Sequence, residues 1–134
     1  PATTNLALNK PPTTSSIEKS SFSGSSAFDG KTTTRWSSQF ADPQWIQVDL
    51  GAPYNVSRVK LLWEAAYSAS YKIQVSNDGT NWTDIYSTTS GAGGTVDLTS
   101  VTGIGRYIRM YGLSRGTPWG HSLWEMEVYG TAWK

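Results

Sequence analysis

Tyr71-Lys72-Ile73-Gln74-Val75-Ser76-Asn77-Asp78-Gly79-Thr80-Asn81-Trp82 is the stretch that decides the fold class, because strict alternation runs straight into a strong turn signal. Tyr71, Ile73 and Val75 fall on one face of a strand, and Lys72, Gln74 and Ser76 fall on the other. Asn-Asp-Gly tolerates the positive φ of a tight reversal, so the chain should fold back as a hairpin before Trp82. The same period of two recurs outward on both sides, over residues 45–50, 56–63, 84–86, 95–98, 107–113 and 123–129. Leu50-Gly51-Ala52-Pro53 and Gly91-Ala92-Gly93-Gly94 read as further turns. No window of ten or more residues holds a 3.6-residue apolar period. Short, closely spaced strands predict an all-β antiparallel sandwich or barrel with little helix. Residues 12–26 resemble a linker by composition, although Ile17 and Phe22 could anchor a long ordered loop. There is no internal repeat.

A length of 134 residues fits one domain, 1–134, large enough to bury a core without a metal or disulfide staple. Lysine and arginine total 11 against 10 for aspartate and glutamate, so nothing offers the broad basic footprint a phosphate backbone needs. Nucleic acid is therefore not an expected partner. Cysteine is absent, which removes disulfides, thiolate metal sites and thiol nucleophiles together. No apolar run approaches the roughly 20 residues that span a bilayer. Pro1-Ala2-Thr3-Thr4 does not read as a signal peptide, so a processed protein or an excised module is expected, and a monomer. Seven Trp and seven Tyr are more large rings than one small core needs, which suggests that some serve as ligand platforms.

Four segments carry a family resemblance. They are Ala27-Phe28-Asp29-Gly30 with Thr34-Arg35-Trp36; Gln44-Trp45-Ile46-Gln47-Val48-Asp49-Leu50-Gly51; the opening stretch through Asn81-Trp82; and Arg106-Tyr107-Ile108-Arg109 with Glu125-Met126-Glu127-Val128-Tyr129-Gly130. Together they resemble the discoidin, or coagulation-factor type C, jelly-roll β-sandwich of galactose-binding-domain-like proteins. Trp63-Glu64-Ala65-Ala66-Tyr67 and Trp119-Gly120-His121-Ser122-Leu123-Trp124-Glu125 look most like family-32 carbohydrate-binding modules of secreted bacterial glycanases, some of which bind chitosan. The resemblance implies a noncatalytic module with its ligand loops at one end of the sandwich. It also implies a linked catalytic domain, an extracellular location, and a polysaccharide partner, with chitosan preferred and a neutral β-glucan next. Other discoidin domains bind membranes or proteins, so the site residues must decide.

Ser114-Arg115-Gly116-Thr117-Pro118 lifts Trp119 onto a loop, where its ring reads as a platform for the apolar face of a pyranose. Phe40, outside any strand pattern, is a second platform or a loop anchor. Trp36, Trp45, Trp82 and Trp124 fall at strand-like or family core positions and are assigned to the interior. By the family's topology, the loops bearing Glu18, Arg35 and Glu64 converge with that of Trp119. Two carboxylates beside an aromatic ring suit a sugar carrying an ammonium, which favours glucosamine over galactose. His121 is the only histidine, so it cannot join a multi-histidine metal site, and a hydrogen bond to ligand is its expected role.

The resemblance also implies a structural calcium site. Its ligands would be the carboxylates of Asp29 and Glu125, the hydroxyl and carbonyl of Thr34, and the carbonyls of Ser26, Lys31 and Trp124. The alternative is a loop held by an Asx turn without metal. Three rival functions stay open. Glu125 and Glu127 share a strand face about 7 Å apart, within the range of glycosidase carboxylate pairs, although the signal is weak. A Ser-His-Asp arrangement is formally available through His121, without a nucleophile-elbow pattern. A membrane or cell-surface adhesion domain would use Phe40 and Trp119 as apolar spikes, but a membrane is not the expected partner. Asn55-Val56-Ser57 and Asn81-Trp82-Thr83 match N-glycosylation sequons, incidental in a bacterial module.

Overall fold

A single strand of 20 residues, β3 (Gln44–Trp63), organises the computed structural model, which describes residues 4–133. Along its first half Ile46, Val48 and Leu50 are buried while Trp45, Gln47 and Asp49 stay half-buried on the opposite face. The other strands are β1 (Pro12–Thr14), β2 (Trp36–Ser37), β4 (Ser68–Ser76), β5 (Thr83–Thr88), β6 (Thr95–Leu98), β7 (Gly103–Arg115) and β8 (Ser122–Ala132). Residues 45–50 and 56–63, read as separate strands, are thus one. Gly51 takes φ 88°, and the pairing to β7 shifts register between Asp49 and Tyr54. The Leu50–Pro53 turn is therefore a bulge in a bent strand, at the point where a glycine can adopt the left-handed region without a Cβ clash.

That bend carries β3 from one layer to the other. Its first half pairs with β1 and β7; past the bend it keeps β7 as far as Val56 and takes up β8 and then β6, all antiparallel. The strand order β2-β8-β3-β7-β4-β5, with β1 and β6 also on β3, makes the predicted antiparallel β-sandwich. Between the layers Ile46, Val48, Leu61, Ile73, Ile108, Met110, Met126 and Val128 are fully buried. Among the described residues the only helical turns are two short 3-10 segments, Ser20–Phe22 and Gly24–Ala27.

The hairpin forms where alternation and turn chemistry place it, with Val75 opposite Thr83 as the last pair. Asp78 organises the connection. Its carboxylate accepts from the N–H of Thr80 and of Asn81 at 2.9 and 2.8 Å, and from the Ser76 hydroxyl at 2.9 Å. The Asn81 and Thr80 N–H groups, which bond the ionised form more strongly than the protonated one, hold this carboxyl far below the usual range.

Two expectations change in the structure. The serine-rich stretch 12–26 is an ordered part of the fold: the Ser15 and Ser16 hydroxyls both donate to Gln44 Oε1 at 2.6 Å, and Trp36 Nε1 donates to the Ser16 carbonyl at 3.0 Å. Of the four tryptophans assigned to the interior only Trp36 is fully buried. Trp45 and Trp82 lie on the outer face of the sheet, with the Arg109 guanidinium 4.0 Å from the Trp82 ring and 5.8 Å from that of Trp45. Trp124, also half-buried, lies 5.6 Å from the Arg35 guanidinium. These rings cover cations instead of filling a core.

The burial pattern sets a stability contrast. Ile73→Ala should cost about 2–5 kcal/mol, the range for truncating a fully buried aliphatic side chain. Leu113→Ala, at a side chain 42 % exposed, should stay within about 0.5 kcal/mol. Urea unfolding of the two variants checks both.

Candidate functional site

One end of the sandwich is built from the loops 38–43, 64–67 and 116–121 together with residues 15–20, and these enclose an open pocket of about 410 Å³. Glu18, Arg35, Phe40, Glu64 and Trp119 all line it, so the structure brings five of the six predicted ligand residues together. Ser37, Ala65 and Ala66, which sequence reasoning did not single out, complete the wall.

Each wall residue has a local reason for its place. Trp119 is 53 % exposed and Phe40 51 %, so both rings offer a face to solvent. The Trp119 N–H bonds to Thr117 Oγ1 at 3.3 Å, and Arg115 Nη1 reaches the carbonyls of Pro118 and Trp119 at 3.4 Å each. Gly120 lets this loop lie against its neighbour, since a Cβ there would come within 2.6 Å of the Ser38 carbonyl oxygen. Glu18 Oε1 accepts from the Ser37 hydroxyl at 2.8 Å, and Glu64 Oε1 accepts from the Ala66 N–H at 3.0 Å. Among the described residues the second oxygen of each carboxylate has no protein partner. Among the described residues neither acid forms an ion pair within 4.0 Å, and neither does Arg35, whose guanidinium lies 4.0 Å from the Phe22 ring. Arg35 Nε is buried and unbonded. The pocket therefore presents two carboxylates, one guanidinium and two rings, the equipment to hold a polar ligand with an apolar face and a positive group.

His121 departs from its expected role as a ligand donor. It is fully buried and absent from the pocket wall, with Nδ1 2.5 Å from Ser68 Oγ and Nε2 2.7 Å from Asp42 Oδ1. Burial lowers its pKa, against the opposing pull of the Asp42 carboxylate. Ser68, His121 and Asp42 have the order of a hydrolytic triad, but Ser68 is itself buried, so no nucleophile faces a substrate. Asp42 and Ser68 escaped the sequence reading because they lie 79 and 53 positions from His121.

A second constellation lies outside the pocket, where the 24–34 loop covers β8. Glu125 is 2 % exposed; its Oε2 accepts from the Gly30 N–H at 3.1 Å, while its Oε1 is buried with no partner. Asp29 accepts from the Lys31 N–H at 2.9 Å and from Thr34 Oγ1 at 2.5 Å, and Thr34 Oγ1 is also 3.3 Å from the Ser26 carbonyl. Burial, reinforced by the neighbouring Asp29 charge and opposed by the Gly30 N–H, pushes the Glu125 carboxyl up to about 8. Among the described residues no three or more His, Cys, Asp or Glu cluster as metal ligands, so further oxygens would have to come from hydroxyls and carbonyls. Glu127 instead accepts from the Tyr129 hydroxyl. Glu125, sealed beneath the Gly30 loop, is closed off from a substrate, so the two carboxylates cannot flank a glycosidic bond together.

An antiparallel sandwich with an aromatic, acid-lined pocket at its loop end is a scaffold for binding a polar ligand that has an apolar face. The chain belongs to the family described as NedA-like, galactose-binding domain, of coagulation-factor type C, which matches it over residues 26–110. It superimposes with a TM-score of 0.92 on chitosan-binding module 1 derived from a chitosanase/glucanase of Paenibacillus sp. IK-5, at 58 % identity, covering 96 % of this chain and 100 % of that one. Module 2 of the same enzyme, in complex with chitotriose, gives a TM-score of 0.92 at 51 % identity over 94 % of this chain and 100 % of that one. A curated relative, the polysaccharide lyase 8 family protein HylA of Enterococcus faecalis, is 42 % identical over 73 residues; these are 54 % of this chain and 5 % of that protein. The chain thus spans a small fraction of that relative.

Exposure predicts that the two rings on the rim are dispensable for folding. Trp119→Ala and Phe40→Ala should each change unfolding free energy by no more than about 0.5 kcal/mol, whereas Trp36→Ala should cost about 3–5 kcal/mol. Denaturant melts of the three variants read this directly.

Proposed function

We propose that this module binds chitosan and glucosamine oligosaccharides in the Glu18–Glu64 pocket, keeping a linked, secreted glycanase on its polysaccharide as a monomeric anchor. The observation that carries this reading is the presence of two uncommitted carboxylate oxygens beside the exposed rings of Phe40 and Trp119. A pyranose ring stacks its apolar face on Trp119 or Phe40, while its ammonium donates charge-assisted hydrogen bonds to Glu18 and Glu64. Arg35 takes hydroxyls. Tethering then raises the effective concentration of the catalytic domain at its substrate. An apolar membrane spike would gain nothing from acids lining the same pocket as its rings, because anionic headgroups repel carboxylates.

Glucosamine trimers should bind more tightly than their N-acetylated counterparts, since acetylation removes the positive charge. Glu18→Gln and Glu64→Gln should each weaken binding by about 1 kcal/mol, discounted for a rim open to water. Added salt should weaken it further, and affinity should fade as pH rises and the amine loses its proton. Calorimetric titration at two salt levels and two pH values measures all of this. Equal affinity for the acetylated trimer, or salt-independent binding of a neutral β-glucan, would sink ammonium recognition.

We also propose that the Asp29–Glu125 constellation holds a structural calcium ion. The unpartnered Glu125 Oε1, the Asp29 carboxylate, the Thr34 oxygens and the Ser26 carbonyl fit a hard cation, with the carbonyls of Lys31 and Trp124 completing the set. A cation would supply the charge that ionised Glu125 lacks. In metal-free protein the folded state keeps a proton on Glu125 up to about pH 8, so the associated stability is present below the ordinary carboxyl range and is lost as pH rises through that value. Calcium competes with this proton. Added calcium should therefore raise the melting temperature, and more strongly at alkaline than at mildly acidic pH. Glu125→Gln should abolish the calcium response; identical melts of the parent with chelator and with calcium would argue for an Asx-turn loop without metal.

A further inference from the structure

The His121 ring does more than fill space. Three loops that build the pocket meet at it. The 38–43 loop, which carries Phe40 at its tip, is fastened to His121 at both ends: Ser38 N–H donates to the His121 carbonyl at 2.9 Å, the His121 N–H donates to Ser38 Oγ at 2.9 Å, and Asp42 Oδ1 is 2.7 Å from Nε2. The loop bearing Glu64 ends at Ser68, whose hydroxyl meets Nδ1 at 2.5 Å. The Trp119 loop is tied in through Arg115, which bonds the other Asp42 oxygen at 3.2 Å and the carbonyls of Pro118 and Trp119. A carboxylate only accepts, so Nε2 carries the proton and Nδ1 accepts from the serine.

We infer that His121 and Asp42 are positioning residues for the ligand pocket: Asp42, bridging His121 and Arg115, sets the separation of the Phe40 and Trp119 rings. The inference rests on the reading in which those two rings hold the sugar. Neither His121 nor Asp42 lines the pocket, so neither acts by touching the ligand there, and what remains is placement of the loops or the long-range charge of Asp42. The geometry also explains why a buried imidazole is used here. One planar ring with a donor on one edge and an acceptor on the other satisfies an acid and an alcohol from two different loops in a fixed plane, which an aliphatic side chain cannot do.

A double-mutant cycle separates positioning from a general loss of stability or a long-range loss of charge. Binding of a glucosamine trimer is measured by calorimetry for the parent, Asp42→Ala, Phe40→Ala and the double variant, with circular dichroism confirming that each is folded. Asp42 and its partner Arg115 are partly exposed, 30 % and 27 %, so cutting the link there spares the core. If Asp42 acts by placing Phe40, Asp42→Ala weakens binding about tenfold in the parent and less than twofold once Phe40 is already gone. An equal loss in both backgrounds, as a charge or stability effect would give, overturns the proposal. So does tight binding by Asp42→Ala when Phe40→Ala binds weakly. If Phe40→Ala itself binds as the parent does, the platform reading of Phe40 falls, and the positioning role falls with it. Should Asp42→Ala not fold, Arg115→Gln, which cuts only the outer link, enters the same cycle with Trp119→Ala as its partner and the same outcomes.

Discussion

Everything in this molecule depends on β3 belonging to both layers at once. A strand that pairs with β1 and β7 before its bend, with β7 and β8 together at residues 54–56, and with β8 and β6 beyond forces the two sheets to share a corner. That corner fixes which strand ends face the same way. Because β3 ends at Trp63 beside the start of β8, the 64–67 loop emerges next to residues 116–121, and the 38–43 loop joins them at the other end of the same strand. Backbone bonds close the arrangement: Glu64 N–H donates to the Ser122 carbonyl at 3.1 Å, and Ser122 N–H to the Ala66 carbonyl at 2.7 Å. Acids and aromatics far apart in the chain meet because this strand runs away from the pocket, bends near Gly51 and returns, so that both of its ends lie at one end of the sandwich.

Much of this was legible along the chain, and the failures have physical causes. Alternation located every long strand because each has one face in the core, which is what a period of two reports. It also held the answer for Trp45: Ile46, Val48 and Leu50 occupy one face, so Trp45 must share the other with Gln47 and Asp49. Assigning that ring to the interior rests on its strand-like, family core position and overrides the alternation. Gly51 was misread as a turn because a bulge and a turn ask the same φ of glycine; only the pairing on either side tells them apart.

The pocket divides along the same line. The convergence of Glu18, Arg35, Phe40, Glu64 and Trp119 on one pocket follows from the family's loop arrangement, since nothing local marks a glutamate on a loop as part of a pocket wall. His121, expected as a ligand donor, is instead buried behind the wall. A lone histidine between Gly120 and Ser122 carries no trace of its partners, and its burial is produced by Ser68 and Asp42 arriving from distant parts of the chain. Sequence pattern reports which face of an element is wet; it is silent on which distant side chains will share a hydrogen bond.

The rim and the frame beneath it are built to different tolerances. Phe40 and Trp119 stand in water, whereas the groups that aim them, Ser38, Ser68 and His121, are buried and mutually bonded. Replacing a ring or an acid at the mouth disturbs little below, while altering the frame would disturb all three loops together. Such a division lets one sandwich change its preferred glycan by a few surface exchanges over evolutionary time, with the scaffold left as a constant against which each new mouth is tried.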